Sequence, residues 1–82
     1  IALKLFASLT ERLPPESRAR HRVELEVEEG ATVLDVIRRQ GIPEAQCFLV
    51  LVDGAWVAPQ DRATRVLSED QALSIWPPVA GG

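Results

Sequence analysis

One stretch decides much of what this chain can become: EEGATVLDVIRRQGIP, residues 28–43, reads most clearly as a helix. Thr32 is a favourable N-cap, and Asp35 three residues on suits both a capping box and the positive end of the helix dipole. Val33, Leu34, Val36 and Ile37 make one apolar face, while Arg38 and Arg39 lie near the negative end. Gly41 supplies a C-terminal stop, and Pro43 forbids continuation. A helix with one apolar face needs one surface to cover, and the flanking segments read as the sheet that provides it.

Those segments alternate with the period of two that marks half-buried strands. In IALKLFA, Ile1, Leu3 and Leu5 point one way and Ala2, Lys4 and Phe6 the other. In HRVELEV, Val23, Leu25 and Val27 point inward and Arg22, Glu24 and Glu26 outward, which predicts a first antiparallel pair. Between them, Ser8 and Glu11 have capping-box spacing for one short helical turn, stopped by Pro14-Pro15. FLVLV (48–52) is nearly continuous in apolar residues, as in a strand buried on both faces, and Asp53-Gly54 is a strong hairpin signal leading into AWV. A polar connection leads through Val66 and Leu67 to a turn at Ser68-Glu69-Asp70. QALSIW is the last strand, with Leu73 and Ile75 inward and Ala72, Ser74 and Trp76 outward. The order β, β, α, β, short β, β predicts an α+β fold of the β-grasp (ubiquitin-like) kind, a mixed sheet with one main helix packed on one face. The domain is expected to span residues 1–76, with an extended C-terminal Gly-Gly tail over 77–82.

Composition removes several function classes. At 82 residues the chain holds one domain with a modest core. No apolar run approaches the roughly 20 residues that span a bilayer, so no membrane partner is expected. One cysteine rules out an intrachain disulfide framework and favours a reducing, cytoplasmic setting; one cysteine and one histidine are too few for a closed zinc site. A net charge of −3 argues against a nucleic-acid partner. The basic RARHR (18–22) runs directly into the acidic ELEVEE (24–29) and reads as a solvated strand of mixed charge. Cys47, just ahead of an apolar strand, reads as a buried, inert thiol, and His21 as a surface residue. With no usable Ser/His/Asp set, phosphate loop or metal-ligand spacing, the chain reads as a protein without its own catalytic site.

The chemistry that remains is in the tail. Pro77 and Pro78 hold an extended course, Val79 and Ala80 are narrow, and Gly81 and Gly82 lack a Cβ that would bar them from a tight channel. Six extended residues reach about 20 Å and present a carboxylate to another protein's active site. A carboxylate is inert until activated, so the expected chemistry is adenylation by ATP followed by attack of sulfide or persulfide. Phe6 and Trp76, on neighbouring first and last strands and pointing away from the helix, should form an apolar docking patch beside the tail.

KLFASLTERL (4–13), the GATVLDVI helix, the LVDGAWV hairpin and above all WPPVAGG (76–82) carry a resemblance over the whole chain. The sequence resembles the small subunits of molybdopterin synthase (MoaD), within the MoaD/ThiS family of ubiquitin-like sulfur carriers. The double proline leans towards the MoaD branch. Ser68-Glu69-Asp70 stands where that branch often has Asp-Gly, and Trp76 where it commonly has phenylalanine. The resemblance implies that Gly82 is adenylated by a ubiquitin-activating-type enzyme (MoeB-like) that uses ATP. A sulfur-transfer protein then helps convert it to a C-terminal thiocarboxylate. It implies docking on the large synthase subunit (MoaE-like), Gly81-Gly82 entering that subunit's active site, with Phe6, Trp76, Pro77, Pro78, Val79 and Ala80 at the contact. Sulfur would pass to a cyclic pyranopterin in molybdenum cofactor biosynthesis, and the carrier would hold no metal or stable cofactor. Delivery to thiazole, cysteine or tRNA acceptors, and attachment to target lysines as a modifier, are alternative uses of the same tail. A plain interaction module would make no use of it.

Overall fold

Among the described residues five strands form one mixed sheet, and a single α-helix lies across one side of it. In chain order these are β1 (Ala2–Leu5), β2 (Arg22–Glu24), α1 (Val33–Arg39), β3 (Leu49–Val52), β4 (Ala55–Trp56) and β5 (Ala72–Trp76). The structure, a computed structural model, describes residues 1–78; Val79, Ala80, Gly81 and Gly82 lie outside the described residues. Across the sheet the strands run β2-β1-β5-β3-β4. The first and last strands are therefore neighbours, and they pair in parallel while the other pairs are antiparallel. This is the β-grasp arrangement.

The helix forms where its caps stand. Thr32 Oγ1 accepts the Asp35 amide at 3.1 Å and the Asp35 carboxylate accepts the Thr32 amide at 2.9 Å, so two otherwise orphaned donors are satisfied reciprocally. The Val33 and Leu34 amides, also without intrahelical partners, donate to the Arg65 and Arg62 carbonyls, which ties the helix start to the segment ahead of β5. Gly41 closes the other end at a φ of +69°, left-handed backbone that glycine adopts without a Cβ penalty. The helix buries Val33, Val36 and Ile37 against Leu3, Leu5, Val50, Val52, Leu73 and Ile75 of the sheet. At the Asp53-Gly54 turn both residues have positive φ, +48° and +82°, as a two-residue type I′ hairpin requires. The Asp53 carboxylate also reaches across the sheet to accept the Ala72 amide at 2.8 Å, pinning the hairpin to the start of β5.

Three local expectations are corrected. Ser8 does not cap a helix: a 3₁₀ segment runs Ala7–Arg12 with Phe6 at its N-cap and no side-chain bond there. The chain turns immediately after Phe6, whose amide still pairs with the Ile75 carbonyl, so Ser8 already lies inside the turn. Pro14-Pro15 does end that turn, but Pro15 then opens a second 3₁₀ segment, Pro15–Arg20, since a first helical position loses nothing by lacking an N–H. RARHR is accordingly not strand: Arg18 and Arg20 belong to that segment, His21 turns the chain at a φ of +56°, and only Arg22 enters β2. Finally, β3 is not buried on both faces. Val50 and Val52 are sealed, but Leu49 and Leu51 are half-buried and Phe48, just before the strand, is 67% exposed. With one α-helix among the described residues, only one side of the sheet is sealed.

Candidate functional site: the uncovered sheet face and the root of the tail

Strand register determines which side chains share the uncovered face. Directly opposed residues point to the same side, so Leu49 stands with Trp76, Leu51 with Ser74 and Trp56, and Lys4 with Ser74 and Arg22. All lie on the side away from Val50, Leu73 and Ile75, which face α1. The Phe6 ring stacks on Trp76 with centroids 4.3 Å apart and planes 5° from parallel. His21 stacks on the other side of Phe6 at 5.2 Å and 19°. Three rings therefore form a ladder from the end preceding β2, over β1, to the end of β5. Its His21 member is held from below, Nδ1 lying 3.3 Å from the Leu5 carbonyl and 3.4 Å from Thr10 Oγ1.

Phe6 and Trp76 thus come together beside the tail as the sequence suggests, but as half-buried rings that cover each other rather than as separate exposed side chains. The more exposed aromatics were not anticipated. Trp56 is 63% exposed on β4, and Phe48 has its amide bonded to the Trp76 carbonyl at 2.9 Å. Trp56 could have been found by counting across the two-residue Asp53-Gly54 turn, which sets it opposite Leu51. His21 offered no such signal, because its place in the ladder depends on the left-handed turn that follows Arg20. Pro77 is buried and Pro78 exposed, so the chain leaves the body between them. Val79, Ala80, Gly81 and Gly82, the candidate business end, lie outside the described residues.

Other reactive groups are occupied structurally. Cys47 is buried, its thiol donates to the Pro43 carbonyl at 3.7 Å, and burial raises its pKa against a smaller opposing pull from the Arg62 guanidinium. A thiol kept protonated in this way is a poor nucleophile. Asp35 is held below the ordinary carboxylate value by its two hydrogen bonds with Thr32, first the backbone and then the side chain, which favour the ionised form. Among the described residues no group of three or more His, Cys, Asp or Glu side chains is placed to hold a metal, and no helix is long and apolar enough to cross a membrane.

The model of the ThiS family matches residues 3–82, nearly the entire chain. The chain belongs to the ThiS family. Its members are ubiquitin-like sulfur carriers of the MoaD/ThiS type. Solved structures agree with that placement. SAMP1 from Haloferax volcanii is 25% identical and superposes with a TM-score of 0.67, over 99% of this chain and 97% of that one. The Haloferax volcanii HVO 2177 protein is 26% identical with a TM-score of 0.71, over 99% of this chain and 84% of that one. The thiamine biosynthesis protein ThiS from Geobacter metallireducens, at 11% identity and a TM-score of 0.62 over the full length of both chains, shares the fold. None of the curated proteins matches the chain in sequence. In this ThiS-family chain the matched region runs through PPVAGG, so the tail falls within the likeness.

Proposed function

We propose that this ThiS-family protein is the sulfur-carrying small subunit of molybdopterin synthase, with Gly82 as the sulfur-bearing residue. The observation that carries the reading is the joint one: an uncovered aromatic face stands where Pro77 and Pro78, the first residues of the PPVAGG sequence, leave the body. Such a face is what a partner must grip in order to draw the tail into its own active site.

The chemistry follows from a terminal carboxylate without side chains around it. Attack of that carboxylate on ATP in an adenylating enzyme gives an acyl-adenylate and releases pyrophosphate. Sulfide then adds to the acyl carbon and expels AMP, leaving a thiocarboxylate; a persulfide donor would instead leave an acyl disulfide, whose S–S bond a second thiol must cleave to release the thiocarboxylate and a disulfide. Gly81 and Gly82 suit both steps, because neither has a Cβ to keep backbone from the reacting atoms. Phe6, Trp76 and Pro77 act in binding rather than in the reaction: they give the partner a rigid surface from which the distance to Gly82 is set. The large synthase subunit then accepts the tail and moves sulfur to a cyclic pyranopterin. ATP belongs to the activating enzyme, and the carrier contributes the carboxyl group alone.

Reconstitution tests the acceptor. Thiocarboxylated protein, mixed with a molybdopterin synthase large subunit and the cyclic pyranopterin precursor, should yield a dithiolene-bearing pterin and return the carrier as carboxylate. Failure to sulfurate the pterin, together with lysine-linked conjugates on a denaturing gel, would replace this reading with that of a protein modifier.

A further inference from the structure

The net charge of −3 conceals a separation of charge along the strands. β1 and β5 run parallel, so Phe6 and Trp76 mark one end of the sheet and Ile1 and Gln71 the other. At the tail end stand β1's Lys4, the 3₁₀ segments Ala7–Arg12 and Pro15–Arg20, the start of β2, and the turn Glu44–Gln46 ahead of β3, whose Glu44 is paired with Arg38 of α1. Residues 4–22 carry Lys4, Arg12, Arg18, Arg20 and Arg22 against only Glu11 and Glu16. At the opposite end Leu25 pairs with Ile1, the Gln71 carbonyl accepts the Ala2 amide and the Asp53 amide donates to Ala72. The segments gathered there, 23–30, 53–54 and 68–71, carry Glu24, Glu26, Glu28, Glu29, Asp53, Glu69 and Asp70 with no lysine or arginine.

Two of these charges are paired, Arg22 with Glu24 where the two groups meet on β2 and Glu28 with Arg39 of α1; the others are not cancelled locally. Arg12 and Arg18 spend their hydrogen bonds on backbone carbonyls, those of Gly41, Leu13 and Glu11, which leaves their charge intact. Among the described residues neither Lys4 nor Arg20 has a carboxylate partner, and the ion pairs are Arg22–Glu24, Arg38–Glu44 and Arg39–Glu28. At the acidic end a groove of about 910 Å³ opens, rimmed by Glu26, Glu28, Glu29, Glu69 and Asp70. Five residues of strand separate the two ends by about 16 Å, beyond the screening length of about 8 Å at physiological salt.

We propose that the basic collar of Lys4, Arg12, Arg18 and Arg20 around the tail root is a steering surface for a protein whose tail-accepting mouth is lined by carboxylates. The acidic end is its counterpart, repelled by the same mouth, so the two together orient the carrier tail first before the aromatic face makes contact. Collar cations neither react nor bury themselves; their effect is on the rate of productive encounter. The inference rests on the sulfur-carrier reading, whose adenylating enzyme is the first such partner the tail must enter.

Stopped-flow association of the full-length protein with its cognate adenylating enzyme, across a range of salt, tests this. Lys4→Glu/Arg20→Glu should lower the association rate by roughly tenfold at low ionic strength, with the deficit shrinking as salt is added and the dissociation rate nearly unchanged. Lys4→Gln/Arg20→Gln, which adds no new charge, should lose about half as much on a logarithmic scale. Glu29→Lys/Glu69→Lys, the same charge change in magnitude at the far end, should hold or slightly raise the rate. A wild-type rate independent of salt, or equal losses from both ends, overturns the steering role while leaving the carrier reading intact. Absence of binding and of adenylation in the wild type removes both.

Discussion

The two faces of this sheet are made from the same strands yet treated oppositely. Towards α1, Val50, Leu73 and Ile75 are completely sealed. On the other side, residues one step along the same strands, Leu49, Leu51 and Trp76, are half-buried, and Trp56 is 63% exposed. A chain of this size gains its stability from one covered face, since it has one helix to cover it with. The second face is only half closed, by the Phe6–Trp76 stack and its neighbours. On the proposed reading its apolar content is surface kept for a partner, and its position at the end of β5 would place that partner beside the root of the tail. On that reading folding and docking divide across a layer one strand thick.

That division can be attacked from both sides. The largest effect is expected inside: Leu73→Ala removes a fully buried side chain from the middle of the core and should cost about 2–5 kcal/mol in denaturant unfolding. Outside, Trp76→Ala should weaken partner binding by at least about 2 kcal/mol, roughly thirtyfold in Kd. Its stability cost should be smaller, because the lost Phe6 stack is worth about 0.5–1.5 kcal/mol beyond burial. A stability loss from Trp76→Ala as large as that from Leu73→Ala, with unchanged affinity measured by calorimetry, would break the comparison. Thr32→Ala strips the cap from the helix that seals the inner face; about 1 kcal/mol of stability should go, with affinity untouched. Trp56→Ser lies at the exposed edge and should move stability by less than about 0.5 kcal/mol.

The smallest effect concerns pH. The Asp35 pKa is lower in the fold than its ordinary value of 3.8, so its contribution is complete above that value and is lost as pH falls through the lowered one. Asp35→Asn should flatten that part of the acid unfolding curve, read by circular dichroism, and leave neutral-pH affinity as it was. A steeper acid limb in Asp35→Asn would contradict the assignment.

What was legible in the sequence was whatever is decided locally. The Thr32–Asp35 box, the Gly41 stop and the Asp53-Gly54 turn each follow from chemistry within a few residues, and alternation named the inward side chains of β1 and β5 correctly. What escaped depended on layers. FLVLV reads as doubly buried because nothing within it says that the sheet has a single helix to share. The basic RARHR reads as strand because nothing within it shows that the 3₁₀ segment begun at Pro15 runs on to Arg20, packed against β2 and the preceding 3₁₀ segment. The aromatic pair at the tail was visible because it needed only alternation and the adjacency of first and last strands; the third ring, His21, required the turn geometry as well.

The most direct measurement is the intact mass of the protein after incubation with ATP, a sulfur source and its adenylating enzyme. The account predicts that one terminal oxygen is exchanged for sulfur in the wild type and in Thr32→Ala, and that the exchange disappears when Gly82 is deleted. An unchanged mass, with the enzyme shown to be active on another carrier, would contradict it.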